Sequence, residues 1–143
     1  MSVELPFAPV EAVIRREAGT LRVSATATEE LARRIQDRGA ALAVEAAERA
    51  ARDDRKTIMA PDFGVEDPPD PSAATLPIAP VDRIARLDVD DRFRVGEDAR
   101  VALATHLEEH AAEAAAGAAT LARHAGRRTV QAEDVETYYE LVE

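Results

Sequence analysis

The sequence predicts an all-α protein made of two copies of one short–long–short helical unit, fused head to tail. Three observations predict it. Apolar residues make up 46% of the 143 residues and aromatics only 3%, which suits closely packed helices better than a sandwich or barrel. Short motifs recur in the same order. Leu5-Pro6-Phe7-Ala8-Pro9-Val10 returns as Leu76-Pro77-Ile78-Ala79-Pro80-Val81, and Arg22-Val23 as Arg94-Val95. Arg55-Lys56-Thr57-Ile58 returns as Arg127-Arg128-Thr129-Val130, and Ala60-Pro61-Asp62 as Ala132-Glu133-Asp134. Finally, the offset is 71 residues for the first motif and 72 for the rest. One residue is therefore inserted between the first helix of copy two and its Arg-Val pair.

The elements follow in chain order. In copy one, Pro9 opens a helix that runs to about Glu17, a favoured place for proline, and Ala18-Gly19 ends it. Ser24 or Thr26 can cap the next helix, and Thr26 with Glu29 has capping-box spacing. That helix runs to about Arg52, with Ala27, Leu31, Ile35, Leu42, Ala46 and Ala50 as its predicted buried stripe. The matching stripe of copy two is Leu103, Leu107, Ala111, Ala114, Ala118 and Leu121. Asp53-Asp54 and Ala125-Gly126 break the long helices, and β-prone Arg-Val and Thr-Ile or Thr-Val pairs flank them. A third helix starts near Ala60 or Ala132. In copy one it soon meets Gly64 and a segment holding Pro68, Pro69 and Pro71, so it is short; in copy two it runs on through Val135, Tyr138, Tyr139 and Leu141. The predicted units are residues 1–63 and 76–143, joined by a Pro-rich linker at 64–75. A helix of roughly 27 residues is about 40 Å long, too long for the rest of one copy to cover. Two copies cover each other by crossing their long helices, and fusion makes that pairing intramolecular, at an effective concentration in the millimolar range.

Composition removes several function classes. There is no cysteine, so disulfides and cysteine-based zinc sites are excluded. The first residues lack the charged and apolar regions of a signal peptide. No apolar run approaches the roughly 20 residues of a membrane helix, so the expectation is a soluble intracellular protein. Asp plus Glu outnumber Lys plus Arg by 28 to 18, a net charge of -10, and Lys56 is the only lysine. An acidic, lysine-poor surface over small core residues suggests adaptation to high salt, although a GC-rich genome also favours Arg and Ala. Taken alone, this charge argues against a nucleic-acid-binding protein.

The repeated motifs say otherwise. The Leu-Pro-x-Ala-Pro opening, the Arg-Val pair before a long helix, and the Arg-Lys-Thr-Ile or Arg-Arg-Thr-Val run followed by Ala-x-Asp resemble an archaeal histone, twice over. The resemblance covers nearly the whole chain outside the linker and extends to fused histone doublets, including those of halophiles. It implies two histone folds paired as an intramolecular handshake pseudo-dimer that binds double-stranded DNA on one convex face. It further implies that Arg22 and Arg94 enter the minor groove, each beside a threonine of the other fold: Arg22 with Thr129, and Arg94 with Thr57. Lys56, Arg128, Arg15 and Arg86 would reach phosphates. Arg83 matches a further basic position of the family, where copy one has Ala12. Arg55 with Asp62, and Arg127 with Asp134, would be internal salt bridges. Leu121, His124 and Asp134 match a family joint between dimers; copy one has Arg49, Arg52 and Asp62 there. The implied self-association is therefore through the second fold of two chains, with His124 otherwise serving as an ordinary helix C-terminal residue.

The physics of such a face is consistent. Arginine in a narrow minor groove meets enhanced negative potential, histones bind through backbone and deformability, and helix N-termini favour phosphate. No cofactor, metal, membrane or small-molecule partner is expected. His106-Leu107-Glu108-Glu109-His110 fits the H-x-x-E-H pattern of some zinc peptidases, with two histidines on one helix face, but no downstream acidic or histidine cluster offers an obvious third ligand. With no Gly-rich phosphate loop and no triad pattern, no enzyme is expected. The expected location is the cytoplasm, on the chromosome. The competing reading is a histone fold kept as a protein-interaction module or transcription regulator, because salt opposes DNA binding. With about eight phosphate contacts at a slope near -0.9 each, tenfold more salt lowers affinity by roughly seven orders of magnitude.

Overall fold

A computed structural model of the chain describes residues 3–143; the first two residues of the predicted first unit lie outside them. The described chain is predominantly helical, and its two halves follow one plan. The first half contains α1 (Phe7–Ala18), β1 (Arg22–Val23), α2 (Ala25–Arg52) and β2 (Thr57–Ile58), then a single 3-10 turn, Ala60–Phe63. A second 3-10 turn, Pro71–Ala73, interrupts the connection. The second half contains α3 (Ile78–Arg86), β3 (Arg94–Val95), α4 (Glu97–His124), β4 (Thr129–Val130) and α5 (Ala132–Val142).

The halves are interlocked rather than side by side. The strand β1 pairs in parallel with β4, and β2 with β3. Because β1 precedes α2 and β4 follows α4, the two long helices run in opposite senses, with one strand pair at each end. Each long helix has 28 residues, so the strand pairs are separated by about 42 Å of helix. The first helices cross over as well: α1 packs on α4, and α3 on α2. This is the handshake arrangement, contained within one chain.

Small residues make the crossing possible. A Cβ at Gly39 would lie 2.7 Å from Ile84 Cγ2 and 2.9 Å from Leu107 Cδ1, so only glycine lets these side chains sit against the α2 backbone. One turn along each helix Ala43 and Ala111 are fully buried, and further along α4 so are Ala114, Ala115 and Ala118; one core cluster spans both halves. The alanine enrichment of the sequence is thus an interior feature: it permits close helix approach with no loss of side-chain entropy.

The structure corrects several expectations about boundaries and burial. The first helix starts at Phe7 with Pro6 at its N-cap, slightly before the expected Pro9 start, because proline is tolerated throughout the first turn. Ser24 caps α2 by accepting from the Ala27 N–H at 3.1 Å, leaving Thr26 inside the first turn and no Thr26–Glu29 capping box among the described residues. Leu42 and Leu121, both expected in the buried stripes, are only partly buried; the stripes continue instead through Gly39 and Ala43 in α2, and through Ala115 and Ala122 in α4. In copy one the third helix is reduced to the 3-10 turn, closed by Gly64 at φ 77°, a left-handed conformation that glycine adopts without strain.

Candidate nucleic-acid interface

Strand register brings the Arg and Thr positions together. Arg22 lies opposite Thr129, and Thr57 opposite Arg94. The Arg22 N–H donates to the Arg128 carbonyl at 2.8 Å, and the Arg94 N–H to the Lys56 carbonyl at 2.7 Å. Both threonines are half-buried, whereas both arginines are exposed. Among the described residues neither threonine hydroxyl bonds its facing arginine; the backbone ladder alone sets the two side chains next to each other.

The remaining basic candidates fall into two groups. Lys56 and Arg128 are exposed beside these strands and, like Arg22 and Arg94, have no side-chain hydrogen bond or ion pair among the described residues. The first-helix arginines are held by carboxylates of the chain itself. Arg15 Nε is 3.4 Å from Glu11, Arg83 Nε 3.3 Å from Glu4, and Arg86 Nε 3.2 Å from Asp82. These are exposed pairs worth a few tenths of a kcal/mol, so they hold the three guanidinium groups only weakly.

The second loops are braced from below. Arg55 reaches the 3%-exposed Asp62, with Nη2 to Oδ1 at 2.8 Å and Nη1 to Oδ2 at 3.0 Å. Asp62 also accepts from the Met59 N–H at 2.8 Å. The Arg55 guanidinium holds the Asp62 carboxyl below its ordinary pKa. The second copy repeats this: Arg127 pairs with Asp134, which accepts from the Gln131 N–H at 2.8 Å. Each carboxylate thus ties a loop to the start of the element that follows, holding Thr57 or Thr129 in register.

Leu121 is half-buried and His124 exposed at the C-terminus of α4. Asp134, grouped with them in the sequence, is only 2% exposed and is engaged by its own fold. In copy one, Arg49 donates to the Asp62 carbonyl at 2.6 Å.

Three arrangements between the copies escaped the motif reading. Arg123 donates to the Ala18 carbonyl at 2.9 Å, which places a cation beside the loop leading to Arg22. Ser24 and Thr26 share a hollow of about 450 Å³ with Thr129, Gln131 and Glu133. At the other end Asp98 Oδ2 accepts from the Ala60 N–H at 3.3 Å. These contacts join residues of different copies, and no local pattern announces them.

The H-x-x-E-H segment has a packing role. His110 Nε2 lies 2.7 Å from the Tyr139 hydroxyl, and burial lowers the His110 pKa to about 4. The ring is therefore neutral at pH 7. Among the described residues no group of three or more His, Cys, Asp or Glu side chains is placed to hold a metal. Nor is any helix among them long and apolar enough to cross a membrane.

The model of one family, described as "Histone-like transcription factor (CBF/NF-Y) and archaeal histone", matches the chain twice, over residues 3–63 and 74–137. The chain belongs to this family. One subunit of the archaeal histone HAN1 of Thermococcus zilligii is 56% identical to this histone-family chain over 62 residues, 43% of the chain and 90% of that relative. The crystal structure of the histone from Methanopyrus kandleri is similar with a TM-score of 0.69 at 23% identity, covering 94% of this chain and 92% of that one. A Thermus thermophilus protein of known crystal structure is similar with a TM-score of 0.71 at 18% identity, covering 98% of this chain and 99% of the other. At those identities the two structures speak for the fold alone. Family membership supports a DNA-binding, histone-like role, and the family is non-enzymatic.

Proposed function

We propose that this protein is an architectural DNA-binding histone, which bends double-stranded DNA without marked sequence specificity and acts on the chromosome. In this reading the units are residues 1–63 and 76–143, with 64–75 as the connection. The observation that carries the proposal is the pairing of Arg22 with Thr129 and of Thr57 with Arg94 at the two ends of the long helices. Arg22, Arg94, Lys56 and Arg128 stand exposed there, without a side-chain partner among the described residues. Two minor-groove arginines about 42 Å apart along the helices suit a curved duplex held through its backbone rather than a helix reading base edges. Lys56, Arg128 and the first-helix residues Arg15, Arg83 and Arg86 would add phosphate contacts, and Thr57 and Thr129 would steady the arginines.

Titration of duplex DNA from about 0.1 to 3 M KCl tests this. Wild type binds at the low-salt end with an affinity that falls steeply with salt, and Arg22→Ala combined with Arg94→Ala lowers it at least tenfold, beyond the roughly one contact per residue in salt slope. No binding by wild type at any salt overturns the proposal and leaves the protein-interaction reading.

Self-association belongs to the same proposal. Two chains would join through the second fold, around the exposed end of α4 with Leu121 and His124, while Asp134 would act from beneath by holding the adjoining loop. Sedimentation of wild type should then show a dimer that Leu121→Ala with His124→Ala weakens. A monomeric wild type across salt concentrations, or a dimer untouched by both substitutions, rules this joint out.

A further inference from the structure

We propose that the DNA surface is one-ended: the β1–β4 end carries the binding, and carboxylates at the β2–β3 end hold the duplex off. This rests on the DNA-binding reading and narrows it: Arg94 and Lys56 are placed as Arg22 and Arg128 are, but add little to binding while the nearby carboxylates are charged.

The two ends are related position by position, yet they differ in charge. At the start of α2 stand Ser24-Ala25-Thr26; at the start of α4 stand Gly96-Glu97-Asp98. The first set offers two hydroxyls 3.2 Å apart that line the hollow beside Thr129; the one carboxylate lining that hollow, Glu133, is paired with Arg127 at 3.5 Å. In the second set the Asp98 carboxylate already occupies the Ala60 amide. The approach loops differ in the same sense. Gly19-Thr20-Leu21 leads to Arg22, whereas Asp90-Asp91-Arg92-Phe93 leads to Arg94. Asp90 and Asp91 share a small surface hollow with Arg86 and with Val95, the neighbour of Arg94. Arg92 is partly drawn off: it lies 4.0 Å from Asp90 and over the Phe93 ring. The loops after the long helices repeat the contrast, since exposed Asp53-Asp54 stands where the other end has Ala125-Gly126. Arg123, beside the Arg22 loop, corresponds to Ala51.

Both ends thus present the Arg–Thr pair and a neighbouring cation, but one end surrounds them with carboxylates. A phosphate meets repulsion from an aspartate as large as its attraction to an arginine at equal distance. At about 0.1 M salt, neighbouring charges along such a loop act on one phosphate together, because the Debye length is roughly 10 Å. Cation–phosphate contacts at that end are therefore cancelled, and the surface engages on the order of four phosphates instead of eight, with a salt slope near -3.6 instead of -7. The inserted residue of copy two falls between α3 and β3, on the approach that carries these aspartates, which is how the second approach comes to differ in length as well as charge.

The test compares two triple variants with the same change in net charge. Asp88→Asn, Asp90→Asn and Asp91→Asn neutralise the loop before β3. Glu45→Gln, Glu140→Gln and Glu143→Gln neutralise exposed carboxylates on α2, on α5 and after α5, away from the strand pairs. In a duplex titration at about 0.1 M KCl the loop variant is expected to bind at least tenfold more tightly, to steepen the salt slope by one to two contacts and to lengthen the hydroxyl-radical footprint at one side. The control is expected to gain less than threefold. Arg22→Ala is expected to lose more affinity than Arg94→Ala, and the Arg94→Ala loss to grow once the loop is neutralised. Equal gains from the two triple variants, or equal losses from the two arginine variants, overturn the one-ended surface and leave DNA binding intact. A wild-type protein that fails to bind at any salt overturns both.

Discussion

Replacing Leu107 by alanine lowers the unfolding free energy by about 3–5 kcal/mol. Leu107 is fully buried at the crossing of the long helices, where its Cδ1 would lie only 2.9 Å from a Cβ at Gly39. Truncation removes one of the two side chains, with Ile84, that fill the space left open by that glycine. Relaxation is poor there, because much of the surround is alanine, Ala43, Ala111 and Ala114 among it, and alanine has no rotamer with which to refill a void. The residual cavity therefore adds to the transfer loss, about 24 cal/mol per Å³. The effect is global because the crossing lies inside the one core cluster that both halves share. Urea unfolding followed by circular dichroism measures it, as a lower midpoint at unchanged slope. A shift worth less than about 1 kcal/mol contradicts the crossing as described.

Asp62→Ala is the second large change, at about 2–4 kcal/mol. Asp62 is 3% exposed and receives two hydrogen bonds from Arg55 and one from the Met59 N–H. Its removal leaves the Met59 N–H without that acceptor and Arg55 with only the Thr57 carbonyl at 3.0 Å and the exposed Asp53 at 3.1 Å. The value lies below that of a fully buried pair because the Arg55 side chain is 33% exposed and water takes over part of its solvation. The sign of the pH dependence follows from the Asp62 carboxyl, whose pKa is held below 3.8 in the folded state by Arg55. A depressed carboxyl stabilises the fold fully above its unfolded pKa, near pH 4, and the contribution is lost as pH falls through the folded value. The gap between wild type and Asp62→Ala should accordingly be constant from about pH 5 to 8 and shrink in stronger acid. A gap that widens in acid refutes the assignment. The same substitution loosens Thr57 from its register with Arg94.

The motifs carry unequally from sequence to surface. Arg55 with Asp62 is legible because the two are seven residues apart and a loop brings them together locally. The facing of Arg22 and Thr129 is legible only through family resemblance, since no local rule joins residues so far apart in the chain. The contacts of Arg123 and Asp98, and the hollow that Ser24 shares with Thr129, escape a sequence reading for that same reason: each involves the other copy. Leu42 and Leu121 are misplaced by it because helical periodicity gives the phase of a stripe but not how far a partner helix covers it.

By itself the sequence determined the repeat, the helical class, the position of the breaks and the shortened third element of copy one. Each of these depends on local chemistry: proline and glycine placement, capping, and the period of apolar residues. Tertiary structure alone decided the arginine–carboxylate neighbours that come from different copies, such as Arg83 with Glu4 and Arg16 with Glu108. Net charge is a sum over the chain, whereas attraction to DNA falls off with distance and is screened within about 10 Å. Only the crossing of α2 and α4, made close by Gly39, sorts the charges into two ends.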